Sequence, residues 1–318
     1  MPQRIRNHLK KMKTLLFSTL IPMLAASAFA QNEPFMVRVA LVPKDGGRNI
    51  LGFIVNGNNT QIEYRTIVNS PTTTISAIKD FESIYFLEPV EYAAAMELFN
   101  AGKYDEAKVK FAKYKEQSKF TAKIPGNFHT LSGFYELECL RKMGDLKALS
   151  QALQGFDKEA LTREHHIRQM DLYVMWDAVH AESWDRVLAV STEREAQKIP
   201  DYQLVQARYC KGLALQKLNR MEEAMVAYNA AITTEAAVSS ELVVKATLNL
   251  LDIYSKDEEV KTAMADWKSE REKKGSPGYN RLLEAGALAR FYNKLLGVSK
   301  PLSPEHKKFL DFKAKEEK

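Results

Sequence analysis

Glu164, His165 and His166, in the stretch EHHIRQMD, form the most chemistry-like cluster in the chain. A metal pair on a helix needs ligands one turn apart, and adjacent histidines point to different faces. His166 and Met170 share a face, but a lone thioether does not complete a metal site. The stretch therefore reads as the solvated first turn of a helix, with no metal. Cys139 and Cys210 stand well apart inside helical patterns and read as two separate buried thiols. The carboxylates of DKE, EREA and KDEE fall at turns and on exposed faces. The sequence has no phosphate-cradling glycine loop, no nucleophile elbow and no Cys/His array at ligand spacing. The expectation is a non-catalytic protein without a cofactor.

The elements that position these residues begin with an address. Arg4, Arg6, Lys10, Lys11 and Lys13 precede a short apolar run, Leu15 to Ala26, and Ala28 and Ala30 form an A-x-A cleavage site. Residues 1–30 read as a secretory signal peptide, and Met12 opens a complete signal of its own. No cysteine lies near the cleavage point to take a lipid, and no later stretch approaches the apolar length of a membrane helix. The chain carries 46 basic and 40 acidic residues; five basic and no acidic ones fall in the signal, leaving 41 against 40. A nearly neutral exported chain is a poor partner for nucleic acid.

Residues 31–88 read as a small antiparallel β module. FMVRVALV, NILGFIV, QIEYRTIV, TTISAI and ESIYFLE are short runs rich in β-branched and aromatic residues. KDGG, NGNN and NSPTT separate them as turns, so a small curled sheet or barrel is expected. From Pro89 the period becomes helical. Bends recur roughly every forty residues, at NAGKYDEAKVKF, RKMGDLKAL, HAESWDRVLAV, KLNRMEEAMVAY and YSKDEEVKTAM, as in arrays of helical hairpins. Gly102, Gly144 and Asn219 suit a left-handed helix terminus at such bends.

KGLALQKLNRMEEAMVAYNAA, residues 211–231, resembles a tetratricopeptide repeat. Gly212 matches the small residue of the first helix and Ala224 that of the second. Tyr228 and Ala231 match the positions one and two turns on. Gly102 and Ala107 match nearly as well in the first unit. In the other units Leu149, Val187 and Val260 replace the small residue, and several repeats exceed the family's length of about 34 residues. The resemblance implies a mainly α protein, a right-handed α-solenoid of helical hairpins over 89–275. Residues 276–318 follow as capping helices: a closing helix over 279–296, then a capped and highly charged final one.

In that family the first helix of each hairpin lines a concave groove. Carried over by register, the groove would hold Tyr92 and Phe99, Phe134 and Arg141, Trp176 and His180, Tyr209 and Lys217, and Lys245 and Asn249. Gly102, Ala107, Gly212, Ala224 and Tyr228 would pack repeat on repeat. Lys245 and Asn249 resemble the basic-plus-amide pair with which some members clamp a C-terminal carboxylate, although adjacent repeats do not clearly supply the rest of that clamp. The resemblance implies a scaffold of the bacterial periplasm or outer envelope that holds a partner protein or extended peptide. An alternative is a glycan or cell-wall ligand at the β unit and its junction with the first hairpin, near Tyr85, Phe86 and Tyr92.

Overall fold

The computed structural model describes residues 35–234, 240–297 and 301–314, so the proposed signal over 1–30 lies outside the described residues. Two compact units are present. One comprises residues 35–89 with 117–121, and the other 90–116 with 122–314.

The first unit is a five-stranded antiparallel sheet: β1 Val37–Pro43, β2 Ile50–Gly57, β3 Gln61–Arg65, β4 Thr74–Ala77 and β5 Phe81–Phe86. Its order is β4-β3-β2-β1-β5, with no β4–β5 pairing among the described residues, so the sheet stays open. Alternation sets the faces: Val37, Val39 and Leu41 are buried with Ile54, Ile62, Tyr64 and Phe81. On the other face Tyr85 and Leu51 flank Ala40 across one row, both exposed. Gly52 has no alternative, because a Cβ there would meet the Arg65 carbonyl oxygen at 2.8 Å.

The second unit is a succession of helical hairpins. They are α1 Val90–Asn100 with α2 Tyr104–Gln117, α3 Phe128–Met143 with α4 Leu146–Gln154, and α5 Glu164–His180 with α6 Trp184–Glu195. Then come α7 Asp201–Lys217 with α8 Met221–Thr233, and α9 Ser240–Lys256 with α10 Glu258–Ala265. First helices also touch first helices: α1 meets α3, α5 meets α7, and α7 meets α9. The bends use left-handed backbone at Gly102 (φ 75°), Gly144 (φ 77°) and Asn219 (φ 60°). The bend of HAESWD uses Glu182 (φ 53°), which lacks that tolerance. Asn127, Asp145 and Asp257 cap α3, α4 and α10 by accepting from backbone N–H groups.

At the equivalent position of each second helix stand Ala107, Leu149, Val187, Ala224 and Val260, all fully buried. Gly212 lies against the ring of Tyr228. Gly102 is different: it is exposed, and a Cβ added to it would meet no atom within 4 Å, so it serves the bend and not packing between repeats.

Helix α11, Pro277–Phe291, packs on α10 and α9 and runs into a π-helical turn, Tyr292–Leu296. The expected final helix is a single turn, α12 Pro304–Lys307, followed by a 3-10 turn over Lys308–Asp311. Its brevity has a cause. Leu302, His306 and Phe309 are buried, and Phe312 O lies where a Cβ on Gly286 would be, at 2.2 Å, so the chain is pressed flat on α11. His306 Nε2 stands 2.8 Å from Asp252 Oδ1 on α9.

Candidate functional site

A cavity of about 350 Å³ opens between α1, α3, α5 and α7. Every one of these is the first helix of its hairpin. Phe99 comes from α1; Phe134, Tyr135, Glu138, Arg141 and Lys142 from α3; His165, His166 and Gln169 from α5; Tyr202 and Gln206 from α7. The aromatic wall is interlocked. Phe99 meets Tyr135 at 5.3 Å, Phe134 meets Tyr135 at 5.4 Å, both edge-on, and Phe134 meets His166 at 4.4 Å.

His166 is 3% exposed, which corrects the reading of EHHIRQMD as a solvated turn. Helical spacing turns His166 inward, where Phe134 and Tyr135, some thirty residues earlier in the chain, cover it. Burial, then the neighbouring His165 and Arg163, lowers its pKa to about 4, so the ring is neutral at pH 7. Its Nδ1 is buried without a hydrogen-bond partner. Gln169 and Gln206 exchange two amide hydrogen bonds of 3.1 Å, and Gln206 Oε1 also accepts from Trp176 Nε1 at 2.9 Å.

The floor is ionic. Arg141, 3% exposed, donates from Nε and Nη2 to Glu138 at 2.9 and 2.7 Å, and Nη2 reaches Glu241 on α9 at 3.2 Å. Burial opposes its charge, but Glu138 and then Glu241 hold its pKa above the ordinary arginine value. Lys142 Nζ also reaches Glu241 at 3.2 Å, and Tyr173 donates to Glu138 at 2.8 Å. Helices α3 and α9 belong to the second and fifth hairpins. This clasp therefore bridges the row of first helices beyond the cavity. Lys245, on α9 behind Gly144, is half-buried, and burial followed by repulsion from Arg141 lowers its pKa.

Of the residues placed in the groove by register, Phe99, Phe134 and Arg141 line the cavity. Tyr92, Trp176 and Tyr209 are instead buried in the core. Tyr92 packs on Phe111, Phe128 and Tyr135, and Trp176 stacks on Tyr209 at 6.0 Å beneath Arg141. Their physical reason is shared: closely approaching hairpins leave a gap that a large ring fills. His180 and Lys217 are exposed, with Lys217 Nζ 5.7 Å from the Trp184 ring. Asn249 donates to Tyr228 Oη at 3.0 Å, so its amide is engaged inside the stack and not free beside Lys245. Tyr135, Gln169, Tyr202 and Gln206 escaped the sequence reading. Gln169 and Gln206 had one signal, an amide standing where a helix's buried stripe calls for an apolar residue.

Both cysteines are free and buried; burial pushes the Cys139 thiol up to about 12 and Cys210 further. Among the described residues, no group of three or more His, Cys, Asp or Glu residues is placed to hold a metal ion. No helix among them is long and apolar enough to cross a membrane. Comparison with protein-family models, with curated proteins and with solved structures gives no match.

Proposed function

We propose that this protein is a non-catalytic scaffold of the bacterial periplasm or outer envelope, and that it holds a partner protein in the groove of a right-handed, tetratricopeptide-like solenoid. One observation carries the reading. The cavity is lined by four successive first helices and by no second helix, the surface such arrays offer to partners. Its aromatic walls and few convergent polar groups suit a protein anchor. The cationic, apolar and A-x-A order of residues 1–30 supports export.

Site-specific photocrosslinking tests it. A benzoyl-phenylalanine replacing Tyr202 at the cavity should give a discrete protein adduct in envelope extract. The same group replacing Val226, exposed on the second helix α8, should give none. Equal adducts at both positions, or none at either, would remove the groove as the docking surface.

A glycan-binding reading has one observation in its favour: Tyr85 stands exposed on the outer sheet face beside Ala40, with Leu51 beyond. Sedimentation with purified cell wall, lost in Tyr85→Ala, would support it.

A further inference from the structure

We propose that the cavity receives one aromatic side chain of a partner protein, borne on a segment whose flanking residues are acidic. The inference rests on the reading of the groove as a docking surface and names what docks there.

Size comes first. At about 350 Å³ the cavity lies at the small end of ligand sites, enough for one large side chain. The groove does not continue as an open channel, because Arg141 and Lys142 on α3 are tied to Glu241 on α9. Trp176 and Tyr209, which would have extended an aromatic face, are buried. A side chain inserted from a loop or chain end fits this shape, and a strand threaded along all the hairpins does not.

The walls set the class of side chain. Phe99, Phe134, Tyr135 and Tyr202 present faces and edges to an incoming ring. The amide pair of Gln169 and Gln206 satisfies itself and asks nothing of the occupant.

Charge sets the flanks. A cationic occupant would need Glu138, but both oxygens of that carboxylate are taken, by Arg141 and Tyr173. The cations that line the cavity, Arg141 and Lys142, are matched by Glu138 and Glu241, and Glu164 is spent on Arg168. Two further cations lie close by: the charge of Arg163 acts on Tyr135 and His166 of the wall, and that of Lys245 on Arg141 and Lys142 of the floor. Arg163, exposed at the start of α5, and Lys245 form no ion pair among the described residues. The excess is positive and unpaired, and acidic residues beside the anchor would complement it.

Fluorescence anisotropy with three labelled pentapeptides tests this on the intact chain: Asp-Asp-Trp-Asp-Asp, Asp-Asp-Ala-Asp-Asp and Lys-Lys-Trp-Lys-Lys. The first should bind, at least about tenfold more tightly than the alanine version. The lysine version should bind least, and added salt should weaken the first. Arg163→Glu, on an exposed side chain, should weaken the acidic peptide several-fold and leave the fold intact. Equal binding of the tryptophan and alanine peptides, preference for the lysine peptide, or no binding would overturn the proposal. So would N-acetyl-tryptophanamide competing as well as the pentapeptide, since the site would then serve a free small molecule. A crosslink at position 202 with no peptide binding would retain the docking surface and remove this ligand; silence in both experiments would remove both.

Discussion

Gly212 on α7 lies directly under the ring of Tyr228 on α8: a Cβ at position 212 would stand 2.6 Å from Cδ1 and 2.7 Å from Cε1. That ring is itself fixed, donating from its hydroxyl to Gln216 at 2.7 Å and accepting from Asn249 at 3.0 Å. Gly212→Ala should therefore destabilise the protein by about 1–3 kcal/mol, because the ring has nowhere to move without breaking those bonds. Urea unfolding followed by circular dichroism would measure it; an unchanged midpoint would show that the hairpin yields.

Arg141 and Glu241 make the second prediction. Arg141→Ala leaves the half-buried Glu138 with a single remaining donor, Tyr173. The loss should be about 3–5 kcal/mol. Glu241→Gln keeps the Arg141–Glu138 pair and should cost less. A double-mutant cycle of the two in urea would return a coupling free energy of at least about 0.5 kcal/mol if the clasp forms in solution.

Acid should loosen the fold through His166. Its folded pKa is depressed to about 4 from 6.5, so the unfolded chain takes up a proton first as pH falls. Stability is fully present above about pH 6.5 and is lost progressively toward pH 4, by up to about 3 kcal/mol. His166→Phe should keep the ring packing on Phe134 and flatten this part of the pH profile. An equally steep profile in that variant would assign the acid sensitivity to other groups.

The thiols should be silent in the native state. Cys139 and Cys210 are buried, and burial keeps both protonated well above pH 8. Ellman's reagent should find neither in folded protein at pH 8 and both in denaturant. Fast native reaction of either would mean that its helix opens.

Much of this architecture was legible because it rests on local rules. Strand alternation such as Val37, Val39 and Leu41 depends on the residues themselves, and so do bends at Gly102, Gly144 and Asn219. Small residues such as Ala107 and Ala224 mark second helices because they are buried against a neighbour close in sequence. The cavity was legible only in part. Register identifies the first helices, and so Phe99, Phe134 and Arg141. It does not say which flank of each helix meets the next hairpin, and Trp176 and Tyr209, expected in the groove, are buried in the core. The meeting of Arg141 with Glu241 depends on how each hairpin is rotated against the last, a sum of many side-chain volumes with no short motif.

That clasp changes what kind of object the row of hairpins is. Stacked arrays whose contacts are all between neighbours behave like beads on a string: units can be gained, lost or exchanged, and the rest persists. Here the partners of one ion pair lie 100 residues apart in sequence, with two complete hairpins between them. Inserting or deleting a unit in that span would carry Glu241 out of reach and leave a buried arginine short of a counter-charge. The number of hairpins between α3 and α9 is thus fixed by chemistry, and the middle of the protein has forfeited the modularity its architecture would otherwise allow.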